Sequence, residues 1–155
     1  EVVFIEKSSI RKILSDDHPL LSKISQHVTS FDDELRCLVN DMITTMDNHS
    51  ARGLAAVQIG VLKRVIVARA DNNLYQMINP IITRTLNRNI VEFEGCLSVH
   101  KDRWRRVSRP AKCDITYQDL EGNHHLSSFS GDSARVLQHE IDHLDGVVIT
   151  DKPII

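Results

Sequence analysis

His139-Glu140-Ile141-Asp142-His143 is the stretch on which the reading turns. On a helix each residue advances by roughly 100°, so positions four apart differ by about 40° and the two imidazoles share one face, one turn apart. One metal ion can take both. Glu140 lies about 100° from His139 and flanks that face, where its carboxylate can hold a water on the metal. It is a candidate base and not a ligand. Surface helices also carry two histidines at this spacing without a metal, so the five residues alone leave both readings open. The helix itself is supported by its surroundings: Asp132 or Ser133 can cap it, Leu137, Ile141 and Leu144 recur at helical spacing, and Gly146 supplies a stop.

Working upstream, Lys112 to Gln118 and His124 to Ser128 read as two strands joined by the Gly-containing turn Asp119-Leu120-Glu121-Gly122-Asn123. Residues 100–110 hold Lys101, Arg103, Arg105, Arg106 and Arg109 around Trp104. This basic segment reads as a solvated loop in which one or two arginines contact a carboxylate or phosphate. Runs at Arg64 to Arg69, Tyr75 to Ile82 and Ile90 to Glu94 predict a meander of antiparallel strands, the last ending in Glu94-Gly95-Cys96-Leu97-Ser98-Val99. On its own a cysteine in that position is more often buried filler than a ligand. Residues 48–60 are rich in small side chains, which let something approach the backbone or simply make a tight loop. Phe31, Leu35, Leu38, Val39, Met42 and Met46 predict an amphipathic helix over 31–47, with Asp32, Asp33 and Glu34 in its first turn. Residues 1–28, opening with the apolar patch Val2 to Ile5, read as an extended arm laid on the core.

The 155 residues, without repeat or linker, suit one domain spanning 1–155 that can bury about two-thirds of its unfolded surface. A formal charge of −2 gives no footprint for DNA or an anionic membrane. No apolar run approaches the roughly 18 residues of a membrane span, and no export signal is visible. Three cysteines without a CxxC pair fit a reducing compartment. Cys113 alternates with strand residues as a small core hydrophobe, and Cys37 is a spectator thiol on the polar side of its helix. The expected location is the cytoplasm. Glu1 is not an initiator methionine, which leaves room for an organelle after removal of a transit peptide.

Three separated segments, Gly53-Leu54-Ala55-Ala56-x-Gln58, Glu94-Gly95-Cys96-Leu97-Ser98 and Gln138-His139-Glu140-x-Asp142-His143, together resemble the signature motifs of the peptide deformylases, in the same order and at comparable spacing. The resemblance implies an α+β fold of antiparallel strands packed around a central metal-binding helix, with a second amphipathic helix near the N-terminus. It implies that Cys96, His139 and His143 bind one divalent metal, with iron(II) favoured and zinc, nickel or cobalt as alternatives. Three protein ligands leave a position for water, as catalytic sites do. The implied reaction is hydrolysis of the formyl group from N-formylmethionyl nascent peptides, with release of formate. A water activated on the metal attacks the formyl carbon, and Glu140 takes its proton and passes it to the departing amine. Gln58 and the Leu97 backbone N–H would stabilise the oxyanion. Gly53 would pair with the substrate backbone and Glu94 would anchor the motif loops, while Arg52, Arg103 and Arg109 are candidates for outer substrate contacts.

The chain departs from the family pattern at Ala51 and Arg52, where glycine and an aliphatic residue are usual, and at His100, where the second motif is usually followed by proline. A long cation at Arg52, beside the mouth of the methionine pocket, is expected to alter substrate preference. The chain ends soon after His143, which points to a divergent, viral or organellar member. A monomer that contacts the ribosome fits the implied substrate. Two other readings compete: another metal-dependent amidase or peptidase, since the His-Glu-x-x-His arrangement is shared, and a non-catalytic binder of formyl peptides or ribosomes. The context of Cys96 speaks against the first and an intact Glu140 against the second.

Overall fold

A computed structural model describes residues 8–86 and 88–155. The apolar patch Val2 to Ile5 lies outside the described residues. From Ser8 the chain runs as an arm tied to the body by backbone bonds: the Leu14 N–H donates to the Gln58 carbonyl at 2.7 Å and the Asp16 N–H to the Ser98 carbonyl at 2.8 Å. Helix α1 (Asp33–Asn48) begins two residues later than the apolar pattern predicts, because Asp32 caps it by accepting the Leu35 N–H at 3.0 Å. Strand β1 (Gly53–Ala55) and a 3-10 turn (Ala56–Ile59) follow, then β2 (Val65–Ala70), β3 (Asn73–Thr85), β4 (Asn89–Glu94), β5 (Arg105–Pro110), β6 (Lys112–Gln118), β7 (His124–Ser130) and helix α2 (Gly131–Leu144). Five strands form one antiparallel sheet in the order β1-β2-β3-β6-β7.

The pattern of β2 explains how the helices are placed. Its side chains alternate between faces and both faces are buried. Val65 and Val67 pack with Leu35, Val39 and Met42 of α1, whereas Ile66 and Ala68 pack with Leu137, Ile141 and Leu144 of α2. The sheet is therefore sandwiched, and α2 lies inside the molecule with most of its residues buried. The architecture is α+β, with antiparallel strands around α2 and the amphipathic α1 on the far face.

Three expectations change. The predicted meander holds for β2 and β3, but β4 leaves the sheet and pairs with β5. The departure follows from β3, whose register shifts between Ile78 and Ile81, where Asn79 adopts φ +53 and Pro80 has no N–H for a ladder. Beyond that bulge β3 pairs with β6. Residues 100–110 are not a solvated loop: they form a 3-10 turn (Lys101–Arg103) and then β5, because alternation buries Val107 and Arg109 while Arg106 and Ser108 face out. Finally, α2 starts at Gly131, before Asp132 or Ser133 could cap it, and the Ser133 hydroxyl donates to Asp71 at 2.6 Å. Its stop is the one expected. Gly146 has φ +76, and a Cβ there would lie 2.6 Å from the Ser22 carbonyl oxygen, so conformation and close packing both require glycine.

Candidate functional site

The i, i+4 spacing on α2 brings His139 and His143 edge to face, with ring centroids 4.9 Å apart and Nε2 atoms 3.2 Å apart. Cys96 reaches them from the turn after β4, its Sγ lying 3.5 Å from His143 Nε2. That turn is closed by the Val99 N–H on the Cys96 carbonyl at 3.0 Å. It is braced by the Trp104 indole N–H, which donates to the carbonyls of Val99 at 2.9 Å and Cys96 at 3.3 Å. All three donor atoms lie within 4.8 Å of one another and all three residues are buried. Metal bonds of about 2.0–2.3 Å in a tetrahedron make ligand-to-ligand edges of about 3.3–3.6 Å, so the donor set fits a single divalent ion with a fourth position left to water or substrate.

The protonation pattern agrees with that use. His143 is held well below its ordinary value by burial and by the positive charges of His139 and Arg109, so its ring stays neutral. Burial opposes a charge on His139 too, but hydrogen bonds to Cys96 and Glu94 push it up to about 10. A cation bound here takes the place of that proton.

Glu94 organises the surroundings. Its buried carboxylate accepts from His139 Nδ1 at 2.9 Å, from Arg109 Nε at 2.6 Å and Nη2 at 2.9 Å, and from Arg135 Nη1 at 2.6 Å. Burial works against the anion, yet the hydrogen bonds from His139 and Arg109 hold it well below the usual carboxylate range. The bond to His139 turns that ring's Nε2 toward the cluster, the arrangement that orients metal-binding histidines. Arg109 continues the chain of contacts to Asp142 at 2.8 Å. It is buried and absent from the cleft walls, which corrects the expectation of an outer substrate contact; alternation along β5 turns it inward onto two carboxylates. Arg103 is likewise off the cleft, clamped to Asp16 by two bonds of 2.7 and 2.8 Å. Arg109→Ala strips the buried Glu94 of its largest counter-charge and is expected to cost about 3–5 kcal/mol of stability, read from a urea midpoint at unchanged slope. A loss below about 1 kcal/mol would mean that Arg135 alone balances Glu94.

A cleft of about 480 Å³ opens beside the cluster. Residues 49–53 form one wall, residues 92–97 at the end of β4 and in the turn after it another, and Asp132, Val136 and Glu140 of α2 a third. Gln58 enters from the 3-10 turn: its Oε1 accepts from the Ala55 N–H at 3.0 Å, and its Nε2 donates to Ser98 Oγ at 3.1 Å and lies 3.8 Å from Cys96 Sγ. Leu97 is exposed at the cleft, and its N–H has no acceptor among the described residues. Glu140 is buried, its Oε1 has no hydrogen-bond partner among the described residues, and burial pushes its carboxyl up to about 7.

Gly53 faces that carboxylate so closely that a Cβ would lie 2.5 Å from Glu140 Oε2. Since β1 is the edge of the sheet and the Arg69 N–H donates to the Arg52 carbonyl, Gly53 and Ala68 form a non-hydrogen-bonded pair. The Gly53 N–H and C=O consequently point to the open edge, toward the cleft. Gly53→Ala is expected to displace Glu140 and to lower kcat by about 100-fold with little change in Tm, measured as formate release and a melt on one preparation. Unaltered kcat would show that the side chain gives way without cost.

The structure thus gathers Cys96, His139, His143, Glu140, Gln58, Leu97, Gly53 and Glu94, places Arg52 on the rim, and leaves Arg103 and Arg109 outside. Arg135 escaped the sequence reading, although it stands four residues before His139 and so shares the ligand face of α2. Asp142 and Ser98 lie inside two of the motifs but had no role until their partners Arg109 and Gln58 were visible.

Residues 10–154 match the family model described as polypeptide deformylase. Among curated proteins, a peptide deformylase from Natranaerobius thermophilus is 40% identical over 145 residues, covering 93% of this chain and 92% of its own. One from Phenylobacterium zucineum is 41% identical over 148 residues, covering 92% and 87%. Among solved structures, the peptide deformylase from Thermotoga maritima superposes with a TM-score of 0.90 at 35% identity, covering 95% of this chain and 99% of that one. With sequence, fold and the geometry of three motifs in agreement over nearly its whole length, the chain belongs to the polypeptide deformylase family.

Proposed function

We propose that this chain, acting as one catalytic domain over 1–155, removes the formyl group from N-formylmethionyl nascent peptides in the cleft beside Cys96, His139 and His143. The observation that carries the reading is the buried set of two imidazoles and one thiol beside the buried Glu140 carboxylate, whose Oε1 has no partner among the described residues. Cys96, His139 and His143 would hold a divalent ion: a soft thiolate with two imidazoles suits iron(II), zinc, nickel or cobalt alike, and the family resemblance favours iron(II). When bound, that ion supplies a Lewis acid that lowers the pKa of water and polarises a carbonyl.

The remaining work falls to side chains and backbone. Glu140 takes a proton from the attacking water on its carboxylate and delivers it to the methionine nitrogen as the carbon–nitrogen bond breaks, leaving formate and a free amine. The Gln58 amide and the Leu97 N–H donate to the oxygen that becomes negative as the carbonyl carbon turns tetrahedral. Gly53 accepts the substrate backbone at the open edge of β1, and Glu94, steadied by Arg109 and Arg135, keeps the His139 ring in position. No helix among the described residues is long and apolar enough to cross a membrane. A monomer working in the cytoplasm where chains leave the ribosome completes the proposal. Anaerobically purified, metal-analysed protein should release formate from formyl-Met-Ala-Ser and leave acetyl-Met-Ala-Ser intact. Cleavage of the Met-Ala bond with the formyl group retained would replace this reading with a peptidase.

A further inference from the structure

Two arginines line the cleft, and only one of them is already engaged. Arg135 is bound to Glu94 and to the carbonyls of Val107 and Ile90. The Arg52 guanidinium has no hydrogen bond or ion pair among the described residues, although Arg52 lines both the cleft and the adjoining hollow around Arg69 and Asp71. In that hollow Asp71 accepts from Ser133, and Arg69 is held by Asp47 through two bonds of 2.9 and 2.7 Å. An incoming carboxylate would therefore meet a cation with no partner among the described residues to give up.

We propose that Arg52 reads the residue following formylmethionine and favours an acidic side chain there, a preference that rests on the deformylase reading above. The register follows from the edge strand. Residues 49–53 line the cleft while Leu54, Ala55, Ala56 and Val57 are fully buried. A peptide that pairs with this edge and has its formyl group at the donor cluster cannot run on past the buried residues 54–57, so it extends toward Arg52, antiparallel to β1. The methionine then stands opposite Gly53, on the face of the strand that looks toward Glu140. The next substrate residue stands opposite Arg52 and shares its face, with Cβ atoms about 4.5–5.5 Å apart. An Asp or Glu at that position meets the guanidinium, and a Lys or Arg is repelled by it. The selection is local: the chain's formal charge of −2 offers acids no general attraction, and Glu92 and Asp132 on the other two walls repel them.

The test compares kcat/KM for formyl-Met-Glu-Ser-amide, formyl-Met-Gln-Ser-amide and formyl-Met-Lys-Ser-amide, capped so that no terminal carboxylate competes, with the full metal-loaded chain. The parent is expected to favour Glu over Lys by about 3- to 10-fold, less at about 0.5 M salt. Arg52→Ala should bring the ratio near one, Arg52→Lys should keep part of it, and Arg52→Glu should invert it. The same order should appear in competition binding of the three peptides to metal-loaded Glu140→Gln protein, a readout free of turnover. Formate release with a flat ratio in the parent, or a ratio that survives Arg52→Glu, overturns the role of Arg52 and leaves the deformylase reading standing. Formate release from none of the peptides, formyl-Met-Ala-Ser included, overturns both.

Discussion

Glu140→Gln is expected to lower kcat by about 10²- to 10⁴-fold while metal content stays at the parent's level. The substitution keeps the length and shape of a side chain that is buried against Gly53, so the packing of α2 has no reason to change. What it removes is the capacity to accept a proton and return it, and general acid–base groups contribute on that scale. The carboxylate is equipped for both tasks: Oε1 has no partner to compete for the proton, and burial raises the carboxyl to about 7, so it is neither a firmly held anion nor a fixed acid. Formate release and metal analysis on one sample decide the matter. Activity within tenfold of the parent would move proton transfer to another group, and loss of the metal as well would make Glu140 a structural support of the donor cluster.

Cys96→Ala, His139→Ala and His143→Ala are each expected to lose most of the bound metal on desalting, as the stoichiometry of metal to protein will show. Losing one supporting hydrogen bond at a metal site costs about 10- to 100-fold in affinity, and deleting one of three ligands exceeds that. The three variants should differ in fold stability. His139→Ala leaves Glu94 with one donor fewer, although Arg109 and Arg135 still pair it, whereas Cys96→Ala removes a thiol and little volume. Far-ultraviolet circular dichroism separates metal loss from unfolding. Full occupancy in all three variants would place the metal elsewhere.

The donors of this site are local in the chain to different degrees, and legibility tracks that. Two of them and the candidate base lie on one helical turn, where 3.6-residue geometry alone sets their relation, so His139, Glu140 and His143 could be read without any fold. Cys96 and Gln58 are distant in sequence from that turn, and neither spacing nor propensity places them beside it; only likeness to a known family joined the three segments in advance. The two main helices were legible to within about two residues from apolar periodicity, as were the strand pair β6 and β7 and its turn. The segment 100–110 was not, because six of its eleven residues are charged and one of them, Arg109, is buried, which hides the alternation that makes it a strand.

The same division holds for charge. The sequence alone determined the donor types, the two faces of β2 and the helical stripes, since these depend on covalent order and backbone period. Which arginine is left at the cleft rim and which is spent inside was decided by tertiary structure alone. Arg52, Arg103, Arg109 and Arg135 carry the same group, yet a guanidinium's role depends on the carboxylates that folding brings to it. Glu94 and Asp142 claim Arg109, Glu94 also claims Arg135, Asp16 claims Arg103, and Arg52 is left at the rim. Pairing over such chain distances costs loop entropy that only the whole packed core offsets, so no local pattern could announce it.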